Sequence, residues 1–186
     1  VLKELDLSNN FAQEINNIKE IMNLETSSLI TNSLLIGTYM SGTSDEMVLS
    51  CIKSIGDKFG FIFQALNDLE PFCSIHNDAH KGSLDTDFSR KRKIICVAIL
   101  YQLLTPKERK HLENSTNRDA DVLILNYFKK YSVYGIVMEE IDNAFISINQ
   151  YINDLTSSTH IPNRYWSTNF LNFISSVIAI CKNRLL

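Results

Sequence analysis

FGFIFQALNDLEPF, residues Phe59–Phe72, begins apolar and aromatic and turns polar just before a proline. At about 100° per residue, its polar side chains Gln64, Asn67 and Asp68 share one face of a helix. An apolar helix that acquires such groups shortly before it stops either ends at the surface or opens into a site. The stretch therefore predicts a core helix whose C-terminal end carries a candidate site.

The residues before this stretch predict two long helices. Thr43 followed three residues later by Glu46 is typical of a capping box, so the second helix is expected over about residues 44–70. Pro71 is expected to stop it. The first helix is expected to end at Gly42. Its apolar face comprises Ile15, Ile18, Met22, Leu29 and Ile36.

A basic run opens the next predicted element. Residues 88–104 predict a helix whose first turn holds Arg90, Lys91, Arg92 and Lys93. Helix N-termini favour acidic groups by a few tenths to about 1 kcal/mol, so four cations there are unfavourable unless an anion lies opposite. The run is therefore either a solvated face or a site for an anion.

Three further helices are expected toward the C-terminus. Thr105 as the N-cap, Pro106 at the first helical position and Glu108 as the closing acid predict the first of them. Residues 117–155 predict one long helix bent near Gly135, and the C-terminal stretch predicts a mostly apolar last helix. Because no pair of alternating strands occurs, the expected fold class is all-α, an antiparallel helical bundle.

Composition favours one globular domain that spans residues 1–186. With 186 residues, 45% hydrophobic, the chain can bury a sizeable core. The net charge of −3 gives no bias toward nucleic acid or a membrane surface, and no run approaches the roughly 18 apolar residues of a transmembrane helix. The four scattered cysteines fit no zinc spacing and are expected to be free thiols in the reducing cytoplasm.

Three short motifs resemble those of a known family. They are ELDL (Glu4–Leu7), ETSSL (Glu25–Leu29) and FQALNDLEP (Phe63–Pro71). Their order and intervals are similar to the G-Q-x-x-D-L segment, the Lys-Thr-x-x-Leu pattern and the F-Q-x-x-D-D-x-x-D region of the trans-isoprenyl diphosphate synthases, the polyprenyl synthetase family. The resemblance implies the C-terminal part of a bundle of the class I isoprenoid synthase type.

The resemblance also implies a Mg²⁺-dependent site for isoprenyl diphosphates. Asn67 and Asp68 occupy the Asp-Asp positions, and Asp6 lies near the diphosphate, so these three are expected to bind metal. Asp68 and Gln64 are the expected catalytic residues. The expected diphosphate-binding residues are Thr26, Lys81 and one of Lys91 or Arg92.

The chain departs from the family pattern at several places. Glu25 stands where the family has a lysine, and a carboxylate there repels a diphosphate. Asn67 replaces an aspartate, and Pro71 replaces the last one. The first aspartate-rich motif, which binds two of the three magnesium ions in the family, is not in this sequence. Either the recorded chain is truncated, which we favour, or it is a half-domain that needs a partner.

These features leave several functions open. The first is a synthase that condenses an allylic diphosphate with isopentenyl diphosphate to a short- or medium-chain product, such as farnesyl or geranylgeranyl diphosphate. A divergent prenyltransferase or cyclase on the same fold is the second. A non-catalytic regulatory subunit of a prenyl synthase is the third, and an unrelated helical interaction domain is the fourth. The family resemblance further implies a homodimer.

Overall fold

The computed structural model describes residues 11–73, 94–115, 117–157 and 164–183, and the regular elements in these ranges are all helices. This confirms the predicted all-α class. A π-helical segment, Asn23–Ser27, joins the first two α-helices. The α-helices are α1 Phe11–Met22, α2 Ser28–Met40, α3 Glu46–Cys73, α4 Ile95–Leu103, α5 Pro106–Glu113, α6 Asn117–Lys130, α7 Val133–Ser157 and α8 Arg164–Asn183.

Helix α3 lies at the centre of the bundle. It packs most extensively against α7 and α2, with further contacts to the π segment, α8 and α4. Ile55, Ile62, Ala65 and Leu69 on α3 are fully buried, and they recur at three- and four-residue steps as the helical period requires. The stretch Phe59–Phe72 therefore belongs to the core helix, as predicted.

The start of α3 differs from the prediction. Thr43 is not its N-cap, because the Asp45 carboxylate accepts hydrogen bonds from the backbone N–H groups of Met47 and Val48, at 2.8 and 3.2 Å. The Thr43 hydroxyl instead bonds to that of Ser41 at 3.2 Å. Aspartate caps a helix as well as threonine does, and here Asp45, not Thr43, caps α3. Gly42 ends the preceding helical stretch with a φ of 84°, as expected.

The end of α3 also differs, since Pro71 lies inside the helix and not at its end. A proline so close to a helix C-terminus removes only one backbone hydrogen bond, from its own missing N–H. Phe72 then stacks on Phe128 of α6, with ring centroids 4.3 Å apart and planes 12° from parallel. This buried aromatic contact stabilises the last turn beyond the proline.

Two more helix boundaries differ from the prediction. Helix α4 begins at Ile95, so the predicted basic first turn is wrong; the run Arg90–Lys93 itself lies outside the described residues. Residues 117–155 form two helices, because Ser132 adopts a left-handed φ of 50° and ends α6 before Gly135.

The capping box predicted at Thr105 is present, with hydrogen bonds in both directions.

Candidate functional site

A local change of helical pitch positions the first candidate residue. In the π segment the backbone N–H of Ser28 bonds to the carbonyl of Asn23, five residues back. Such one-turn π insertions rotate the helix relative to a regular α ladder and are frequent at functional sites. Here the insertion contains Glu25, which is exposed, and Thr26, which is half-buried. The segment therefore changes direction at the ETSSL motif, where the sequence predicts a binding residue.

Small residues bring this segment against α3. A Cβ atom built on Gly60 would lie 2.3 Å from the Cα of Ser27, and one on Gly56 would lie 2.7 Å from the Cα of Thr31. Only glycine allows such an approach of two backbones. The Thr31 hydroxyl also donates to Asp57 Oδ1 at 2.8 Å. This close contact fixes the distance between Thr26 and the next turn of α3.

Three predicted site residues form one continuous hydrogen-bonded chain. Thr26 Oγ1 donates to Gln64 Oε1 at 2.9 Å. Gln64 Nε2 donates to Asp68 Oδ1 at 2.9 Å. Gln64 and Asp68 are one helical turn apart on α3, so the spacing seen in the sequence lets their side chains meet. The sequence thus identified residues that the fold brings together.

Asp68 extends the hydrogen-bonded chain from the π segment and α3 to α4. Its other carboxylate oxygen, Oδ2, accepts from the backbone N–H of Ile95 at 3.2 Å. Ile95 is the first residue of α4, and the preceding Ile94 has extended backbone and makes no side-chain cap. Asp68 therefore supplies from α3 the acceptor that an N-cap residue normally supplies locally. Its negative charge also suits the positive end of the α4 dipole.

The surroundings of Asp68 are largely apolar. The residue is 6% exposed, and among the described residues the other buried polar side chains are Ser27 and Thr31. Burial, and after it the negative charge of Asp68, raises the pKa of the Cys96 thiol well above its ordinary value. Burial likewise raises the pKa of the half-buried Cys73 thiol. Both thiols are thus held in the neutral form, and neither is an activated nucleophile.

The other predicted site residues lie apart from this chain or outside the described residues. Asn67 follows Leu66 on α3 and is exposed. Asp68 is buried, so the two side chains predicted to share one helix face lie in different surroundings. The residues outside the described ranges are Asp6, Lys81, Lys91 and Arg92. Their predicted roles stay predictions.

The residues of this site do not by themselves fit a magnesium ion. Within the described ranges no group of three or more His, Cys, Asp or Glu side chains is placed to hold a metal. Both oxygens of Asp68 already accept hydrogen bonds. Magnesium requires several oxygen ligands in near-octahedral geometry, and the neutral Asn67 attracts it only weakly. The metal-binding roles predicted for Asn67 and Asp68 therefore find no support in this arrangement.

A concave region lies where α1, α3 and α7 meet. A groove of about 290 Å³ is lined by Lys19, Lys58 and Phe61 together with residues of α7. Lys19 Nζ lies 2.6 Å from Glu140 Oε2 and 5.7 Å from the centre of the Phe61 ring. Phe61 is three residues from Gln64, so the groove opens beside the candidate site. Lys19 is already paired with Glu140, whose carboxylate also lines the groove and repels an anion.

Two glycines that were not predicted to matter bring the site together. Gly56 and Gly60 are four residues apart, so they lie on one helix face, opposite Ser27 and Thr31, which have the same spacing. Two glycines at that spacing inside an otherwise unbroken helix are a signal of close backbone approach. Read in this way, the sequence would have predicted that another helix approaches α3 closely at these two glycines.

Comparison with known proteins agrees with the resemblance seen in the sequence. A family model described as Polyprenyl synthetase matches residues 3–130. The matched region contains Thr26, Gln64, Asp68 and the glycines that bring them together. No curated protein and no solved structure matches the chain. Among the helices that the structure describes, none is long and apolar enough to cross a membrane.

Proposed function

This chain belongs to the polyprenyl synthetase family, and we propose that it condenses an allylic diphosphate with isopentenyl diphosphate to a short- or medium-chain polyprenyl diphosphate. Family membership supports a prenyltransferase-type function and isoprenyl diphosphate substrates. The substrate pair and the product length are the proposal. Its main structural support is the hydrogen-bonded chain Thr26–Gln64–Asp68 inside the matched region.

The reaction separates charge, and the site must accommodate both signs. The allylic carbon–oxygen bond breaks, diphosphate leaves with the bonding electrons, and the double bond of isopentenyl diphosphate attacks the allylic cation. The cation formed by this attack then loses a proton to the released diphosphate, and the electrons of that carbon–hydrogen bond form the double bond of the product. Preorganised dipoles aimed at the developing charge contribute most to such a step. Gln64 holds its carbonyl oxygen toward Thr26 at 2.9 Å and thereby presents a fixed dipole. We assign Gln64 to the allylic side of the reaction.

Positive charge stabilises the leaving diphosphate, and the proposed site contains both cations and one opposing carboxylate. Lys81, Lys91 and Arg92 are the proposed diphosphate-binding cations, with Thr26 as a hydroxyl partner. The exposed Glu25 beside Thr26 opposes them. The family generally uses Mg²⁺, which neutralises a diphosphate when bound. Because Asn67 and Asp68 do not form a site alone, Mg²⁺ dependence is part of what the assay must test.

A second candidate is a non-catalytic regulatory subunit of a prenyl synthase. The engagement of both Asp68 oxygens in structural hydrogen bonds favours it. So does the carboxylate of Glu25 at the position of a family lysine. Such a subunit would keep the helical bundle and lose turnover. The cytoplasmic location and the homodimeric state also remain predictions.

The test is a turnover assay with direct product identification. Isopentenyl diphosphate is offered with each of three allylic diphosphates, with and without Mg²⁺, and products are measured by mass spectrometry. Mg²⁺-dependent elongation is the expected result, and the product mass gives the chain length. Diphosphate release without elongation would instead indicate a cyclase or a transferase with another acceptor. An inert protein that raises the activity of a synthase would support the regulatory subunit.

A further inference from the structure

Asp68 lies where α3, α4 and the chain from the π segment meet. We propose that Asp68 is a positioning residue and not a metal ligand: it fixes the amide of Gln64 and the start of α4, and it influences the reaction through Gln64. The structural part of this proposal stands on the contacts of Asp68. The catalytic part rests on the proposed function.

Burial and hydrogen bonding argue against metal binding by Asp68. Aspartate is almost never fully buried unless it is paired, and this one is 6% exposed with an acceptor bond on each oxygen. Magnesium dehydrates reluctantly and usually keeps several of its waters, and a carboxylate that is 6% exposed leaves little room for them. Within the described ranges, no group of three or more His, Cys, Asp or Glu side chains is placed to complete the site.

The carboxylate decides which way the Gln64 amide points. An ionised aspartate only accepts hydrogen bonds, so the NH₂ end of Gln64 must face Asp68. The carbonyl end then faces Thr26, whose hydroxyl donates to it. An asparagine at position 68 could either donate or accept, and both orientations of Gln64 would become possible. The charge of Asp68 therefore decides which groups donate and which accept along the hydrogen-bonded chain Thr26–Gln64–Asp68.

The same carboxylate fixes α4 relative to α3. Ile95 N–H is one of the unsatisfied donors that every helix N-terminus carries, and Ile94 offers no side-chain acceptor. Asp68 satisfies this donor from 27 residues away in the sequence. Ile95, Cys96 and Leu100 of α4 are fully buried, so a shift of this helix would disturb the core into which it packs.

The first experiment needs no activity. Side-chain amide resonances of Gln64 and hydrogen exchange of the Ile95 amide are followed by NMR in the wild type, Asp68→Asn and Asp68→Ala. We expect a single Gln64 NH₂ environment in the wild type and a changed or doubled one in Asp68→Asn. Ile95 should exchange at least tenfold faster in Asp68→Ala. Unchanged Gln64 and Ile95 signals in both variants would overturn the proposal, whether or not the protein is an enzyme.

The second experiment separates positioning from metal binding. Calorimetry measures the affinity for Mg²⁺ with pyrophosphate, and a matched series of Asp68→Asn, Gln64→Ala and the double variant measures turnover. A positioning role leaves the affinity within about twofold in Asp68→Asn and makes the two losses in kcat non-additive. A tenfold or larger loss of Mg²⁺ affinity would show a ligand and overturn the proposal. A wild type without turnover refutes the proposed function, and the NMR result still decides the role of Asp68.

Discussion

Gly60 and Ser27 are in direct backbone contact, since a Cβ on the glycine would come within 2.3 Å of the Ser27 Cα. Real Cβ atoms essentially never lie so close to another backbone. The contact joins α3 to the π segment one turn before Gln64, and Thr26 is the neighbour of Ser27. The hydrogen bond between Thr26 and Gln64 is therefore a consequence of a glycine that lies elsewhere on the helix.

Replacement of Gly60 should separate the two helices. Gly60→Ala must push the Ser27 backbone away, and overpacking of this kind costs about 1–3 kcal/mol. We expect the free energy of unfolding, measured by urea denaturation, to fall by that amount. Gly37→Ala is the matched control, because a Cβ at Gly37 meets nothing within 4 Å. Alanine there should leave stability unchanged or raise it by up to about 1 kcal/mol. Equal effects at both glycines would contradict the close packing.

The hydroxyl of Thr26 should matter more for activity than for stability. Thr26→Val keeps the shape and removes the donor to Gln64 Oε1, which costs about 0.5–1.5 kcal/mol of stability. If the protein is a prenyl synthase, kcat should fall, and Thr26→Ser should restore most of it. Thr38→Val serves as the control, since the Thr38 hydroxyl bonds only to its own helix at Leu34. Full activity in Thr26→Val would show that the hydrogen bond between Thr26 and Gln64 is not needed for catalysis.

The capping box at α5 should make stability sensitive to acid. Hydrogen bonds from Lys130, Thr105 and Tyr131 hold the pKa of Glu108 well below its ordinary value. A lowered pKa in the folded state means that the stabilisation is complete above the unfolded pKa of about 4.3 and is lost as pH falls below it. The difference in unfolding free energy between wild type and Glu108→Gln should therefore shrink from pH 6 toward about pH 3. The exposed Glu113→Gln variant should show little such change, and a pH-independent difference for Glu108 would refute the linkage.

Local rules predicted the start of α5, which neighbouring residues decide, but at the start of α3 they favoured Thr43 over the true cap, Asp45. The Thr105 cap needs only Glu108, three residues on, so the sequence was sufficient for it. The end of α3 was not predictable in this way, because Phe72 is held beyond Pro71 by Phe128 from another helix. Asp68 was predicted to be a site residue, but its partner Ile95 lies far along the chain and could not be predicted from spacing. Its role follows from tertiary contact and not from spacing.

Reversal of the charge at Glu25 should test where the diphosphate binds. Glu25 is exposed on the π segment next to Thr26, at the position of a family lysine. Two charges about 4 Å apart near a protein surface interact by about 4 kcal/mol before salt screening, so Glu25→Lys should tighten pyrophosphate binding several-fold in calorimetry. Glu20→Lys makes the same charge change at another exposed position, on α1, and should have a much smaller effect. The gain should also decrease with added salt, because exposed charges are screened. If Glu25→Lys binds no more tightly than Glu20→Lys, the diphosphate does not lie beside the π segment.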